Sequence, residues 1–208
     1  MELTLFPKTI DDWLIVIITT SAFVFLWIGI AKKRDIKCLS LFTNFMWTIL
    51  DVLIYVILIE ERSSCLMLGL GCAFGSFLTS LFLIKYDKKK KWGKNETYTL
   101  IVVLMVVCLW LYSGSNILGL TLAVVAEIVA GWPQMEKSWI KPGSRYVLVS
   151  YVLFLIVYIF SVFSAPNWEL ENIFFPSAFS IYCILDTLPL IIKWQKIIKR
   201  YNRMKKRG

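Results

Sequence analysis

The chain has 208 residues, of which 58% are hydrophobic and 18% charged, with a net charge of +9. That balance is unusual for a soluble domain of this length and points to a polytopic membrane protein. Histidine is missing altogether, which removes the commonest metal ligand, the usual proton shuttle and every Ser-His or Cys-His catalytic arrangement.

In chain order, the outer N-terminal segment 1–12 carries only Lys8 against Glu2, Asp11 and Asp12. The apolar stretch Trp13–Ala31 follows with no charged n-region or small-residue cleavage site ahead of it, so it reads as a first span rather than a removable signal. Leu39–Ile59 and Cys65–Ile84 complete a first three-helix unit, 13–84. A basic loop, 85–97, leads to the short stretch Tyr98–Tyr112, a linker helix at 98–112. Asn116–Gln134, Tyr146–Ser164 and Ile173–Ile192 form a second unit, 116–192, before a basic tail, 193–208. Most of these stretches approach the length that crosses a hydrocarbon core of about 30 Å at 1.5 Å per residue.

Twenty-one of the 23 Lys and Arg residues lie in alternate gaps and the tail: four in 32–38, six in 85–94, three in 135–145 and eight in 193–208. The other gaps carry only Arg62. The positive-inside rule therefore puts the N-terminus outside and the tail inside, with anionic lipid headgroups as partners of the basic loops and no nucleic-acid role. The plasma membrane is the expected location. The cysteines Cys38, Cys65, Cys72, Cys108 and Cys183 show no paired spacing, so neither a disulfide framework nor a zinc site is expected, and no cofactor is implied.

Polar residues within spans mark the side turned away from lipid. Span two carries Asn44, Trp47, Thr48, Asp51 and Tyr55 as one helical stripe. Span three offers Cys72, Ser76 and Thr79, span five Glu127, Gly131 and Gln134, and span seven Tyr182 and Asp186. Span four has no strongly polar residue between Leu100 and Leu111, as befits a peripheral linker. Asp51 and Glu127 each lie roughly 16–18 Å from a span end. No basic residue shares a span's middle with them, so an ionised carboxylate there costs several kcal/mol; the two readings are proton coupling or substrate contact, and a protonated acid that bonds a neighbouring helix. Asp186, nearer the inner end, is a third coupling candidate.

Aligned residues and parallel span directions favour an internal repeat. A shift of 105 residues superposes Trp27 on Trp132, Lys32 on Lys137, and Ala73-Phe74 on Ala178-Phe179; a shift of 108 lays Thr79 on Thr187. With one lone span between the two triplets, spans 1–3 and 5–7 run in the same directions. Gly131-Trp132-Pro133-Gln134 closes span five, where Pro133 either terminates the helix at the surface or hinges it.

Pro133-Gln134 at the inner end of a unit's first helix, the three-plus-one-plus-three layout and the basic tail together resemble the PQ-loop superfamily, which includes the SWEET sugar transporters. The resemblance implies an all-α fold of seven transmembrane helices, two parallel three-helix units that rock around a central site, and transport of a small polar solute such as a sugar by alternating access. It places the Pro-Gln pair near the inner gate. The first unit departs from the pattern with Ile28-Gly29, and Gly29 is the matching flexible point. Span six gives Ser150 and Tyr151 where a twofold sugar clamp would repeat Asn44 and Trp47.

The expected solute site comprises Asn44, Trp47, Asp51, Ser76, Tyr151 and Tyr182, with Gly29, Pro133, Gln134 and Pro189 as hinge or gate residues. Pro176 is expected in the first turn of span seven, where proline is tolerated. Not an enzyme but a carrier is the reading; a vitamin or nucleoside carrier of the nicotinamide riboside type, or a PQ-loop receptor or scaffold, are the alternatives. Homo-oligomerisation is left open.

Overall fold

The computed structural model describes residues 7, 9–32, 38–86, 94–140 and 143–205. The basic loop 85–97 and the segment 1–12 fall largely outside these. Seven helices follow one another: α1 (Ile10–Ala31), α2 (Leu41–Glu60), α3 (Leu66–Tyr86), α4 (Lys94–Ser113), α5 (Asn116–Ile140), α6 (Arg145–Phe163) and α7 (Leu170–Lys205). No strand occurs among the described residues. Six are long and apolar enough to cross a membrane; α4 supplies a shorter apolar stretch, 97–113. This is the architecture of a helical multi-pass membrane protein.

Local chemistry sets the helix ends. Thr9 and Asp12 form a reciprocal capping box at α1: the Asp12 amide donates to Thr9 Oγ1 at 3.1 Å and the Thr9 amide to Asp12 Oδ2 at 3.0 Å. Ser40 and Ser144 cap α2 and α6. At the other end of α2 the chain turns through Arg62, whose φ of 53° lies in the left-handed region. The Ser63 amide donates to Leu58 O and the Arg62 amide to Ile59 O, the paired bonds of a Schellman turn with arginine at the position glycine usually takes.

Contacts follow a twofold pattern. The third helix of each triplet packs against both its partners, α3 on α1 and α2, and α7 on α5 and α6. Across the triplets, α1 packs on α6 and α2 on α5. Exchanging α1 with α5, α2 with α6 and α3 with α7 leaves these contacts unchanged. Only α4, which packs chiefly on α5, breaks the pattern. It docks by laying Trp110 on Gly119, where a Cβ would stand 2.1 Å from the indole. The pairs aligned from sequence do not share environments, however. Trp27 turns inward and donates from Nε1 to Thr79 Oγ1 at 2.8 Å, whereas Trp132 is exposed; Phe74 is exposed and Phe179 buried. The symmetry lives in the packing of helices more than in those side chains.

One open alternative is decided, one helix outruns its apolar stretch, and one expectation is corrected. α5 continues through Pro133 to Ile140, so this proline does not terminate the helix; it lies within it and withholds an N–H from the Val129 carbonyl. α7 continues through the basic tail to Lys205, because Lys and Arg are good helix formers and the charge that ends an apolar stretch need not end a helix. And Pro176 lies beyond the first turn, since α7 starts at Leu170 rather than Ile173. The carbonyl that Pro176 leaves without its amide donor is that of Asn172, and it accepts the Cys65 thiol at 2.9 Å.

Candidate functional site

The bonds Lys32 Nζ to Tyr146 Oη, Ser40 N to Gln134 Oε1 and Lys193 Nζ to Gly143 O bring together the ends of α1, α2, α5 and α6 and the middle of α7. We call this the basic end. Between it and the midpoint of the helices lies a cavity of about 60 Å³. That is several times the roughly 10–15 Å³ needed to admit one water. Its wall draws on six helices: Phe23 and Leu26 of α1; Asn44, Trp47 and Asp51 of α2; Cys72 and Ser76 of α3; Glu127 and Gln134 of α5; Tyr151, Phe154 and Tyr158 of α6; Phe179, Tyr182 and Cys183 of α7.

All six residues expected to form the solute site line this one cavity. Glu127 and Gln134 join them. The stripe on α2 divides: Asn44, Trp47 and Asp51 face the cavity, while Thr48 Oγ1 donates to Asn44 O at 2.8 Å and lies 3.4 Å from Ser80 of α3. Thr79 serves Trp27 instead. Asp186 is fully buried but outside the wall; it lies beside Tyr151 and Tyr182, and neither of its oxygens has a hydrogen-bond partner. Gly29, Pro133 and Pro189 lie within helices and do not line the cavity.

One polar layer closes the basic side. Gln134, 1% exposed, donates from Nε2 to Tyr151 Oη at 2.6 Å and accepts on Oε1 from Asn44 Nδ2 at 3.1 Å. Asn44 Nδ2 also donates to Ser40 O at 2.8 Å. A turn deeper, Trp47 Nε1 donates to the Glu127 carbonyl at 2.9 Å, and Tyr182 Oη donates to the Gly131 carbonyl at 3.2 Å. The two rings meet edge to face at 5.6 Å. Gly131 is required here, because a Cβ would lie 2.7 Å from the Tyr182 hydroxyl and ring.

The far side is closed differently. Leu50, Ile54, Ile57 and Leu58 of α2 pack with Leu68, Leu120, Val124 and Phe175 as fully buried core. Above that core, Asn172 Oδ1 accepts from Ser63 Oγ, Ser64 N and Ser64 Oγ at 2.9–3.1 Å, which clasps the α2–α3 turn to the start of α7. Several turns of apolar packing thus seal one side, against a single hydrogen-bonded layer on the other.

Asp51 lies beside Glu127 and Ser76. Glu127 is 1% exposed and neither carboxylate oxygen has a hydrogen-bond partner. Two acids thus share one cavity. Among the described residues no Lys or Arg lines it.

Sequence reasoning named Trp47, Tyr151 and Tyr182 but missed Phe23, Phe154, Tyr158 and Phe179 on the same wall. Tyr151, Phe154 and Tyr158 recur at i, i+3 and i+7, and Phe179 precedes Tyr182 by three, so the helical stripes were present. In an apolar span an aromatic stripe carries no polarity to separate lipid from interior, whereas Asn44 and Asp51 do. Comparison with protein-family models, curated proteins and solved structures finds no match to this chain. Its class is therefore that of a helical multi-pass membrane protein with a central, acidic and aromatic cavity.

Proposed function

We propose that the protein is a carrier for a small polar solute, of the PQ-loop type. In this reading α1–α3 and α5–α7 are two parallel units joined by α4, with the N-terminus outside, the tail inside and the plasma membrane as location. The units rock about the central cavity to open it alternately to either side. The observation that carries the reading is a cavity lined by two carboxyl groups with, among the described residues, no Lys or Arg on its wall, between the basic end and the midpoint of helices that can cross a membrane. A purely structural interior gains nothing from such a pair, since desolvating even one unpaired acid costs several kcal/mol.

The asymmetry of the two closures supports a conformation nearer to opening at the basic end. Breaking the Gln134 layer exposes the cavity there, while the far side would need α2, α3 and α7 to separate along their packed core. Gln134 acts as the inner gate, with Pro133 as its hinge one residue earlier. Proton coupling follows if Asp51 and Glu127 exchange a proton for solute as the cavity opens.

The test is a thermal-shift screen of purified protein against sugars, amino acids, vitamin nucleosides and small organic cations at pH 5.5 and 7.5, repeated with Asp51→Asn. The reading expects a ligand that stabilises the native form, with a pH dependence lost in the variant. Silence across the panel, with Asp51→Asn as stable as the parent, would move the protein to the receptor or scaffold class.

A further inference from the structure

We infer that the solute is a compact organic cation, in the range from methylammonium to choline, held by Asp51 and Glu127 against the aromatic wall. This names the substrate class of the carrier reading and rests on it.

Most of the wall's hydrogen-bonding groups are already paired within the protein. The Trp47 indole N–H is spent on the Glu127 carbonyl and the Tyr182 hydroxyl on the Gly131 carbonyl. Ser76 Oγ donates to Ala73 O at 3.2 Å. Asn44 and Gln134 are committed to one another, to Ser40 and to Tyr151. Most of the donors that a sugar or nucleoside would need are thus engaged within the protein, although the Tyr151 hydroxyl accepts from Gln134 and keeps its own proton. The buried wall atoms with no partner at all are acceptors: both oxygens of Glu127, beside Asp51. A ligand that satisfies them must bring donors or positive charge.

Two further features narrow the class. Trp47, Tyr158 and Tyr182 bring aromatic rings to the same cavity, and aromatic faces attract a desolvated cation, quaternary ammonium above all. With no Lys or Arg on the wall among the described residues, a ligand's own carboxylate would be buried without a partner, which disfavours zwitterions. A cavity of about 60 Å³ is small, so the fit favours the small members of the class.

The experiment measures thermal stabilisation of the detergent-purified full chain by methylammonium, tetramethylammonium, choline, glycine betaine, glucose and uridine. The expected result is a shift with at least one of the three cations and none with glycine betaine, glucose or uridine. Asp51→Asn and the isosteric Glu127→Gln should each weaken that binding about tenfold or more; two separate variants, each compared unliganded with the parent, keep a folding defect apart from lost binding. Stabilisation by glucose or uridine but by no cation would overturn the cation class and leave the carrier reading standing. Silence from all three cations, or equal binding of choline and glycine betaine, would also overturn it.

Discussion

Gln134 holds Tyr151 through a 2.6 Å hydrogen bond from its amide nitrogen to the tyrosine hydroxyl, and so ties α5, one residue past Pro133, to the first half of α6. The same side chain reaches Asn44 on α2. Three helices at the basic end are therefore joined through one carboxamide.

Replacing Gln134 with leucine keeps the volume but leaves Asn44 and Tyr151 without that partner. We expect a stability loss of about 1–3 kcal/mol and easier opening at the basic end. Cys183 lines the cavity and is buried. In a background where Cys183 is the sole cysteine, its alkylation by a polar maleimide added from the tail side should accelerate on the order of tenfold. Unchanged labelling would show that this layer does not guard the cavity.

Gly131→Ala places a methyl where the Tyr182 ring now lies. Overpacking of this kind costs about 1–3 kcal/mol, and displacing the ring also breaks the Tyr182–Gly131 bond and the edge contact with Trp47. Thermal unfolding should show the loss, and a Tyr182→Ala background should relieve most of it, because the clash partner is gone. Additive effects of the two substitutions would contradict the contact.

At the far end, Asn172→Ala removes the acceptor shared by Ser63 and Ser64. The neighbouring Cys65, 1% exposed, should then react with thiol reagents several-fold faster as the α2–α3 turn loosens. Tail-side labelling of Cys183 should not change. An effect confined to the wrong end would separate this clasp from far-side closure.

Arg62→Gly relieves a left-handed backbone at the Schellman position. It should stabilise the protein by about 0.5–1 kcal/mol in reversible unfolding. Destabilisation would mean that the Arg62 side chain supplies more than its backbone costs.

Much of this was legible before the fold. Asn44, Trp47 and Asp51 could be assigned to one face because they recur at helical spacing in a segment where polarity is expensive. The apolar stretches located six long helices and a shorter fourth. The extent of α7 was not legible, since hydropathy reports where lipid stops and not where the backbone stops coiling. Pro133 could not be resolved between terminator and interior kink, because a proline within a helix depends on neighbours that satisfy the freed groups. The seal at Asn172 was hidden for a related reason: it joins residues more than a hundred positions apart, from a turn and a helix start that look like ordinary loop chemistry.

The most direct test of the account is solute counterflow in proteoliposomes containing the full chain, with the cations, sugars, nucleosides and amino acids named above as loaded substrates. The account predicts that at least one solute exchanges faster than through protein-free vesicles, and that Asp51→Asn, inserted and folded to the same level, abolishes the exchange. Absence of exchange for every solute, with folded protein in the bilayer, would contradict it.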